Sequence, residues 1–225
     1  MTPERFTKLK RVLAQRQPDL TVLAENTRKT RNIAALVRTC DAVGVPRLHV
    51  VSHETVRRHR MISAGAQKWV QLQRHTTIRD ACDELHAAGY QLLAAHQSRH
   101  AVDFREVDYT RPSAVLVGGE LWGVSATAAA AADRHITVPM CGMVSSLNVS
   151  VAAALVLYEA MRQRQAAGMY DQERLAQSEI ERLLVEWSHP RVARRCRELG
   201  RPYPSLDEQG NLAENTLDNT PGDDC

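Results

Sequence analysis

The chain has 225 residues, of which 44% are hydrophobic and 24% are charged, and its formal net charge is +3. This length and composition fit one globular domain with extensions, and no run of about eighteen apolar residues indicates a membrane span. The charged N-terminus lacks an apolar signal core and the five scattered cysteines form no C-x-x-C pair, so we expect a cytoplasmic protein with reduced thiols.

The charge is distributed unevenly along the chain. Residues 205–225 contain six acidic residues and no Lys or Arg, which leaves 29 basic against 20 acidic residues in residues 1–204. The acidic end is polar and has no apolar period, which predicts a disordered tail. A basic body with an acidic tail indicates a polyanionic partner such as a nucleic acid.

The regular elements follow an α/β pattern. Thr2 and Pro3 predict the start of a helix that runs to about Gln15. Short apolar runs then alternate with helical patterns about five times, including a helix over 54–67, and two more helices are predicted beyond Gly168. Uninterrupted apolar strands of this kind predict a parallel sheet with helices on both faces.

Three informative stretches each begin just after a predicted strand. Asn32 is expected to cap a helix on which Arg38 points away from the apolar stripe, the turn 118–123 is rich in glycine, and the loop 139–148 contains Pro, Gly and small polar residues. In parallel sheets ligands bind beyond the carboxyl ends of the strands, so the three stretches can converge on one crevice. An exposed arginine and an ordinary capped helix remain the alternatives. No metal site is expected.

These stretches resemble known motifs. R-N-I-A-A-L-V-R-T-C-D-A-V-G-V (31–45), L-V-G-G-E-L-W-G (116–123) and V-P-M-C-G-M-V-S-S-L-N-V-S (138–150) are similar to the three signature motifs of the SpoU branch of the SPOUT methyltransferases. The resemblance covers about residues 1–204. It implies an α/β fold with a C-terminal deep trefoil knot and an obligate homodimer. It also implies a cofactor, S-adenosyl-L-methionine, and a substrate, the ribose 2′-OH of guanosine 18 in the D-loop of tRNA.

The resemblance also implies roles for single residues. Arg38 would act on the 2′-OH, either as a transient base or as a charged stabiliser of the developing alkoxide, and Asn32 would orient it or the ribose. The remaining residues carried over by motif fall into a catalytic and a cofactor-binding group: Glu120, Ser146 and Asn148 in the first, and Ala95, Gly118, Val138, Gly142, Met143 and Leu147 in the second.

Arginine-rich stretches at both ends are expected to contact RNA, because guanidinium groups suit phosphate recognition. The predicted RNA-binding residues are Arg5, Lys8, Arg11, Arg16, Arg162, Arg164 and Arg174. The alternative is a set of salt-bridged surface helices. The expected organisation is a basic N-terminal helix (1–18), the knotted methyltransferase domain (19–168), arginine-rich helices (169–204) and the acidic tail (205–225).

Two positions depart from the family pattern. Ala95 replaces a threonine that is often found in relatives, and Leu121-Trp122 stands where relatives often carry a basic residue before the glycine. Two other functions stay open, a ribosomal RNA 2′-O-methyltransferase and a non-catalytic RNA-binding module on the same scaffold. A dinucleotide-dependent oxidoreductase is disfavoured because the G-x-G-x-x-G fingerprint is absent.

Overall fold

The computed structural model describes residues 1–27, 29–51, 68–119 and 122–212. The helix predicted over 54–67 and most of the predicted tail lie outside these ranges. Within them the elements in chain order are α1 (Pro3–Ala14), β1 (Leu20–Glu25), α2 (Thr30–Ala42), β2 (Arg47–Val51), β3 (Gln71–His75), α3 (Ile78–Ala87), β4 (Gln91–Ala95), β5 (Val102–Asp103), β6 (Ser113–Val117), α4 (Ala126–Ala131), β7 (Arg134–Thr137), α5 (Val149–Ala166), α6 (Gln177–Ser188) and α7 (Pro190–Glu198). None of these helices is long and apolar enough to cross a membrane.

The seven strands form one parallel sheet in the order β3-β2-β1-β6-β4-β7-β5. The predicted α/β class with a parallel sheet is therefore confirmed. β1 and β6 are central and all of their residues are buried, as expected for strands that are covered on both faces. The order also shows that the chain crosses β4 when it passes from β6 to β7, so the two glycine-containing turns lie on either side of β4.

Alternate residues of each strand contribute to two separate cores. On one face Val22 of β1 packs in the same cluster as Leu36 of α2 and Leu157 of α5. On the other face Leu23 clusters with Leu85 of α3 and Ala128 of α4. Because successive strand side chains point to opposite faces, one apolar run supplies both cores. The helices therefore form a layer on each side of the sheet.

The chain divides into two compact units, Arg16–Gln172 and a second unit that combines Met1–Gln15 with the described residues from Glu173 onward. The first unit contains the whole sheet. In the second unit α1 packs against α6, and α6 packs against α7. The N-terminal and C-terminal helices, which the sequence places in separate segments, thus belong to the same unit.

The second unit includes residues that the sequence assigns to a disordered tail. His189 Nε2 contacts the carbonyl oxygen of Gly210 at 2.8 Å, and the Asp207 carboxylate accepts hydrogen bonds from the N–H groups of Gln209 and Asn211. These backbone hydrogen bonds hold the pKa of Asp207 below its usual value. Residues 205–212 therefore form an ordered turn, because side chain-to-backbone hydrogen bonds stabilise it without an apolar period.

Two further local differences come from tertiary contacts. Asn32 is the third residue of α2, whose N-cap is Lys29, so the prediction that Asn32 caps this helix is wrong. The connector 101–111 contains β5 and one 3₁₀ turn, and it buries the rings of Phe104 and Tyr109. The hydroxyl of Tyr109 donates to the carbonyl oxygen of Phe104, which satisfies its polar atom in the core.

A buried guanidinium joins the end of α5 to the amino ends of the central strands. Arg164 is fully buried, and its Nη1 donates to Asp19 Oδ1 at 2.6 Å and to Gln17 Oε1 at 3.2 Å. Its Nε and Nη2 donate to the carbonyl oxygens of Tyr109, Asp19 and Arg111. All N–H groups of the side chain therefore have protein acceptors, as a buried charge requires.

The prediction that Arg164 and Arg16 contact RNA is wrong. Arg164 is committed to the contacts above, and Arg16 is only 1% exposed and donates from Nη2 to Asp41 Oδ1 at 2.7 Å and to the carbonyl oxygen of Trp69. A phosphate cannot reach either group unless the fold opens. Both arginines stabilise the α/β unit instead.

We expect Arg164→Ala to lower the free energy of unfolding by about 3–5 kcal/mol, because it leaves the Asp19 carboxylate and three carbonyl groups without their donor. Chemical denaturation monitored by circular dichroism measures the change. The matched control is Arg162→Ala, since Arg162 lies two residues away with an exposed side chain and pairs with Glu159 at the surface. An Arg164→Ala protein that is as stable as the control would contradict the structural role.

Two buried histidines form a second polar contact in the interior, on β2 and β3. His49 Nδ1 lies 2.8 Å from His75 Nε2, and both rings are at most 9% exposed. Burial, and secondarily the positive charges of His75 and Arg47, lower the pKa of His49 to about 4. The neutral imidazole of His49 is therefore the form that the folded protein favours.

This pair predicts a loss of stability in mild acid. In the unfolded chain His49 binds a proton as the pH falls below about 6.5, its ordinary pKa. In the folded protein His49 binds this proton only near pH 4, because its pKa is lowered to about 4. The contribution of His49 to the free energy of unfolding is therefore fully present above pH 6.5, and about 2–3 kcal/mol of it is lost as the pH drops towards 4. Unfolding curves across this range measure it, and His49→Gln should flatten the dependence whereas His100→Gln, at an exposed loop position, should not. An unchanged slope in His49→Gln would refute the assignment.

Candidate active site

A cleft of about 300 Å³ opens at the carboxyl ends of β4, β6 and β7. Its walls come from three strand ends, from the loop 138–148 and from the first turns of α5. The lining residues that the structure describes are Ala95, His96, Gln97, Val117, Gly118, Gly119, Gly123, Val124, Ile136, Thr137, Val138, Met140, Ser145, Ser146, Leu147, Val149, Ala152 and Val156. None of them is an acidic or basic residue other than histidine, so shape and backbone groups dominate the binding properties of this cleft.

The glycine turn after β6 leaves no room for a side chain at Gly118 or Gly119. A Cβ atom at Gly118 would overlap the backbone of Gly123, and one at Gly119 would lie 2.7 Å from the carbonyl oxygen of Asn26. Gly123 has a φ of 63° and its N–H donates to the carbonyl oxygen of Gly119 at 2.8 Å, which closes the turn. Glycine is required here because the turn folds back on itself at the wall of the cleft.

The loop 138–148 contributes a second group of lining residues, in addition to those of the glycine turn, and is largely exposed. Gln97, just beyond β4, donates from Nε2 to the carbonyl oxygen of Ser145 at 2.7 Å and so links this loop to a strand end. The loop ends at Asn148, whose Oδ1 accepts from the N–H of Ser150 and caps α5. The cap fixes where the loop stops and the helix begins.

Asn148 also connects the loop to α2. Its Nδ2 donates to Oδ1 of Asn32 at 3.4 Å, and the side chain of Asn32 is buried at the start of α2. Arg38 lies six residues further along α2 and is exposed. α2 packs against α5, so the Asn32–Asn148 contact belongs to a larger interface between these two helices. Two of the three predicted stretches therefore meet through this contact. The glycine turn meets the loop 138–148 at the cleft, whose described lining residues include none of Asn32, Arg38 and Asn148.

The predicted site residues are placed as follows. Ala95, Gly118, Val138, Leu147 and Ser146 line the cleft. Gly142 and Met143 are not among its described lining residues; both are exposed, because their part of the loop turns outward. Glu120 lies outside the described residues.

Sequence reasoning missed several lining residues, of which His96, Gln97, Thr137 and Ser145 are polar. Their only signal in the sequence is position. His96 and Gln97 directly follow the end of β4, Thr137 is the last residue of β7, and Ser145 is the neighbour of a predicted residue. A rule that included every residue within two positions of a strand's carboxyl end would have found all of them except Ser145.

We expect Gly118→Ala to destabilise the α/β unit by about 1–3 kcal/mol or more and to reduce binding in the cleft, because the methyl group would meet backbone atoms that cannot move aside. Thermal unfolding and calorimetric titration with S-adenosylmethionine measure the two effects. Gly142→Ala is the matched control for stability, since nothing lies within 4 Å of a Cβ atom there. Equal stability of the two variants would show that the turn adapts.

The comparisons with known proteins agree with this geometry. The model of the SpoU rRNA Methylase family matches residues 19–158, and that of the SpoU rRNA methylase C-terminal region matches residues 162–215. The chain is 48% identical over 215 residues to the tRNA (guanosine(18)-2′-O)-methyltransferase of Escherichia coli K12, covering 94% of each chain.

Solved structures give the same result. The Aquifex aeolicus TrmH/SpoU tRNA modifying enzyme matches with a TM-score of 0.77 and 42% identity, over 84% of this chain and 97% of that one. AviRb of Streptomyces viridochromogenes, a SpoU methyltransferase in complex with the cofactor AdoMet, matches with a TM-score of 0.59 and 28% identity, over 68% of this chain and 59% of that one. The cleft at the carboxyl ends of β4, β6 and β7 is thus set in a chain that belongs to the SpoU methylase family.

Proposed function

We propose that this protein is a tRNA (guanosine(18)-2′-O)-methyltransferase, which transfers the methyl group of S-adenosyl-L-methionine to the ribose 2′-OH of a D-loop guanosine. The observation that carries the proposal is the contact of Asn148 with Asn32, because it places the start of α2, the helix of Arg38, beside the helix that closes the cleft. The E. coli relative, which spans nearly the whole chain, is named for this reaction.

The cleft fits the cofactor. Its volume of about 300 Å³ is at the lower end of the range for small-molecule sites. The glycine turn at Gly118 and Gly119 brings bare backbone to the wall, and Ala95, Val138 and Leu147 supply apolar surface. When bound, S-adenosylmethionine supplies an electrophilic methyl group on a sulfonium. The protein's own task is then to hold the ribose oxygen in line and to manage one proton.

Arg38 is the residue that we propose for this second task. A guanidinium is a very weak acid and normally stays charged, so it can stabilise the oxygen of the ribose as that oxygen loses its proton. Transient acceptance of the proton is the other possibility. Asn32 and Asn148 position the start of α2, Ser146 lies in the wall of the cleft, and Glu120 remains a proposed member of the site.

The RNA would be bound mainly by exposed cations. Arg5, Lys8 and Arg11 are exposed on α1, and α7 exposes a further group that contains Arg191, Arg194 and Arg195. Arg162 is exposed but pairs with Glu159, and Arg174 is partly buried. Phosphate recognition therefore depends on the terminal helices more than on the arginines at the end of α5.

We further propose that the segment from Pro139 through α5 forms a deep trefoil knot. In support, the chain leaves β7 on one side of β4 and returns as α5, which packs against β6 and α2 on the other.

The reduced cysteines at four described positions and a tRNA substrate favour the cytoplasm as the compartment.

A homodimer is proposed from the exposed face of α5. Val151, Leu155 and Tyr158 follow one another at helical spacing and are 42–50% exposed. An apolar stripe on a helix that also borders the cleft suits an isologous contact, since the same stripe occurs on a second copy.

The direct test of function is transfer of labelled methyl groups to unmodified tRNA, followed by mapping of the modified nucleotide. We expect 2′-O-methylation at guanosine 18 and none when that nucleotide is replaced. Methyl groups found only in ribosomal RNA would favour the alternative of a ribosomal RNA 2′-O-methyltransferase, in line with the name of the SpoU rRNA Methylase family. Absence of transfer to either RNA, with RNA binding retained, would favour a non-catalytic module.

We expect Arg38→Ala to reduce methyl transfer by about 100-fold or more, as for the removal of one group that stabilises a transition-state oxyanion. Affinity for tRNA, measured by filter binding, should change little. Arg31→Ala is the control, because Arg31 is also exposed on α2. If Arg38→Ala weakens tRNA binding as strongly as it slows transfer, Arg38 is a phosphate contact and not a catalytic residue.

We expect Leu155→Glu to convert a two-chain assembly into a monomer, because it buries a charge in the proposed interface. Light scattering coupled to size exclusion measures the mass. Leu155→Met keeps the volume and apolar character and should leave the dimer intact. A wild-type protein that runs as a single chain would refute the dimer directly.

A further inference from the structure

Trp122 differs from the other tryptophans of this protein. The chain has three, and Trp122 is 89% exposed whereas Trp187 is 8% exposed and Trp69 is partly buried. An indole ring carries a large apolar area that most folds cover at least in part. The nearly complete exposure of the Trp122 ring is therefore unusual for a folded protein.

The turn that carries Trp122 lies at the wall of the cleft. Trp122 directly precedes Gly123, which lines the cleft and is hydrogen-bonded through its N–H to Gly119. The backbone of Gly118 packs against Gly123, and the space beside Gly119 is filled by the carbonyl oxygen of Asn26. Gly118 and Gly119 are therefore fixed against neighbouring backbone, and Trp122, next to the lining residue Gly123, exposes its indole ring beside the cleft.

The proposed reaction needs a surface beside the cleft that can hold the nucleobase of the reacting nucleotide. A ribose whose 2′-OH reaches the cleft carries a base, and single-stranded RNA bases are bound by stacking on aromatic side chains. The described walls of the cleft hold no Trp, Tyr or Phe that could serve. Trp122, which adjoins the lining residue Gly123, is an exposed aromatic side chain beside this cleft.

We propose that Trp122 is a stacking platform for an unpaired nucleobase of the RNA substrate, either the target guanine or its immediate neighbour. The proposal rests on the proposed function, since it assumes that RNA is the substrate. Stacking does not require a sequence-specific hydrogen bond, so Trp122 would contribute affinity and placement of the ribose, and guanine selection would come from other contacts. The other possible cover for the ring is a second copy of the chain. The stripe proposed for that contact lies on α5, a different element from the turn.

The first experiment follows tryptophan fluorescence in the full-length protein. In the free wild-type protein we expect acrylamide to quench a component of the tryptophan fluorescence that comes from Trp122. This component should be missing in Trp122→Phe, because the other two indole rings are less exposed. Addition of unmodified tRNA should quench or shield this component. If free wild-type protein and Trp122→Phe respond equally to acrylamide, the ring is already covered by a partner copy and the proposal fails.

The second experiment compares Trp122→Phe with Trp122→Leu in the methylation assay. Phenylalanine keeps a ring that can stack, whereas leucine keeps apolar area without one. We expect the KM for tRNA to rise about tenfold or more in Trp122→Leu, within the range for loss of one base stack, and about twofold in Trp122→Phe. The KM for S-adenosylmethionine and the oligomeric state should be unchanged in both.

The outcomes separate the two proposals. A Trp122→Leu protein with the wild-type KM for tRNA overturns the stacking platform and leaves the methyltransferase assignment intact. A wild-type protein that transfers no methyl group to tRNA, but whose Trp122 component is still shielded by RNA, overturns the assignment and leaves the platform intact.

Discussion

The guanidinium of Arg164 is the contact on which the rest of the α/β unit depends. It sits at the carboxyl end of α5 and donates to Asp19 and Gln17 before β1 and to Arg111 before β6. α5 has eighteen residues and is therefore about 27 Å long, and its other end carries Asn148 at the cleft. A single helix is thus anchored at the amino ends of the central strands and delivers its N-terminus to their carboxyl ends. The distance between the two anchors is fixed by helix geometry.

This arrangement explains why the site can be assembled from distant parts of the sequence without large polar networks. The Asn32–Asn148 hydrogen bond is long at 3.4 Å and contributes modestly by itself. It forms because α2 and α5 already pack against the same face of the sheet. Packing supplies the stability, and the amide pair sets the register of the two helices at the cleft.

The described arginines outside the proposed active site include two contrasting groups. Arg16 and Arg164 are buried and paired with Asp41 and Asp19, so their charges are neutralised inside the fold. Those on α1 and α7 stay in water and give the protein its basic surface. A count of basic residues therefore overstates the charge that an RNA would meet. The same distinction applies to the aromatic residues, since Tyr109 is buried and Trp122 is not.

The amino-acid sequence by itself determined the alternation of strands and helices, the parallel sheet and the three stretches that follow its strands. Each of these depends on local features, namely the period of the apolar residues and the glycine, proline and small polar residues that interrupt it. It did not determine which arginines are interior, since Arg164 meets Asp19 across 145 residues of chain. Nor did it show that Asn32 contacts Asn148 instead of capping α2, or that Met143 lies outside the cleft. Those outcomes were decided by tertiary packing, because a side chain's partners come from whichever distant segments the sheet order brings beside it.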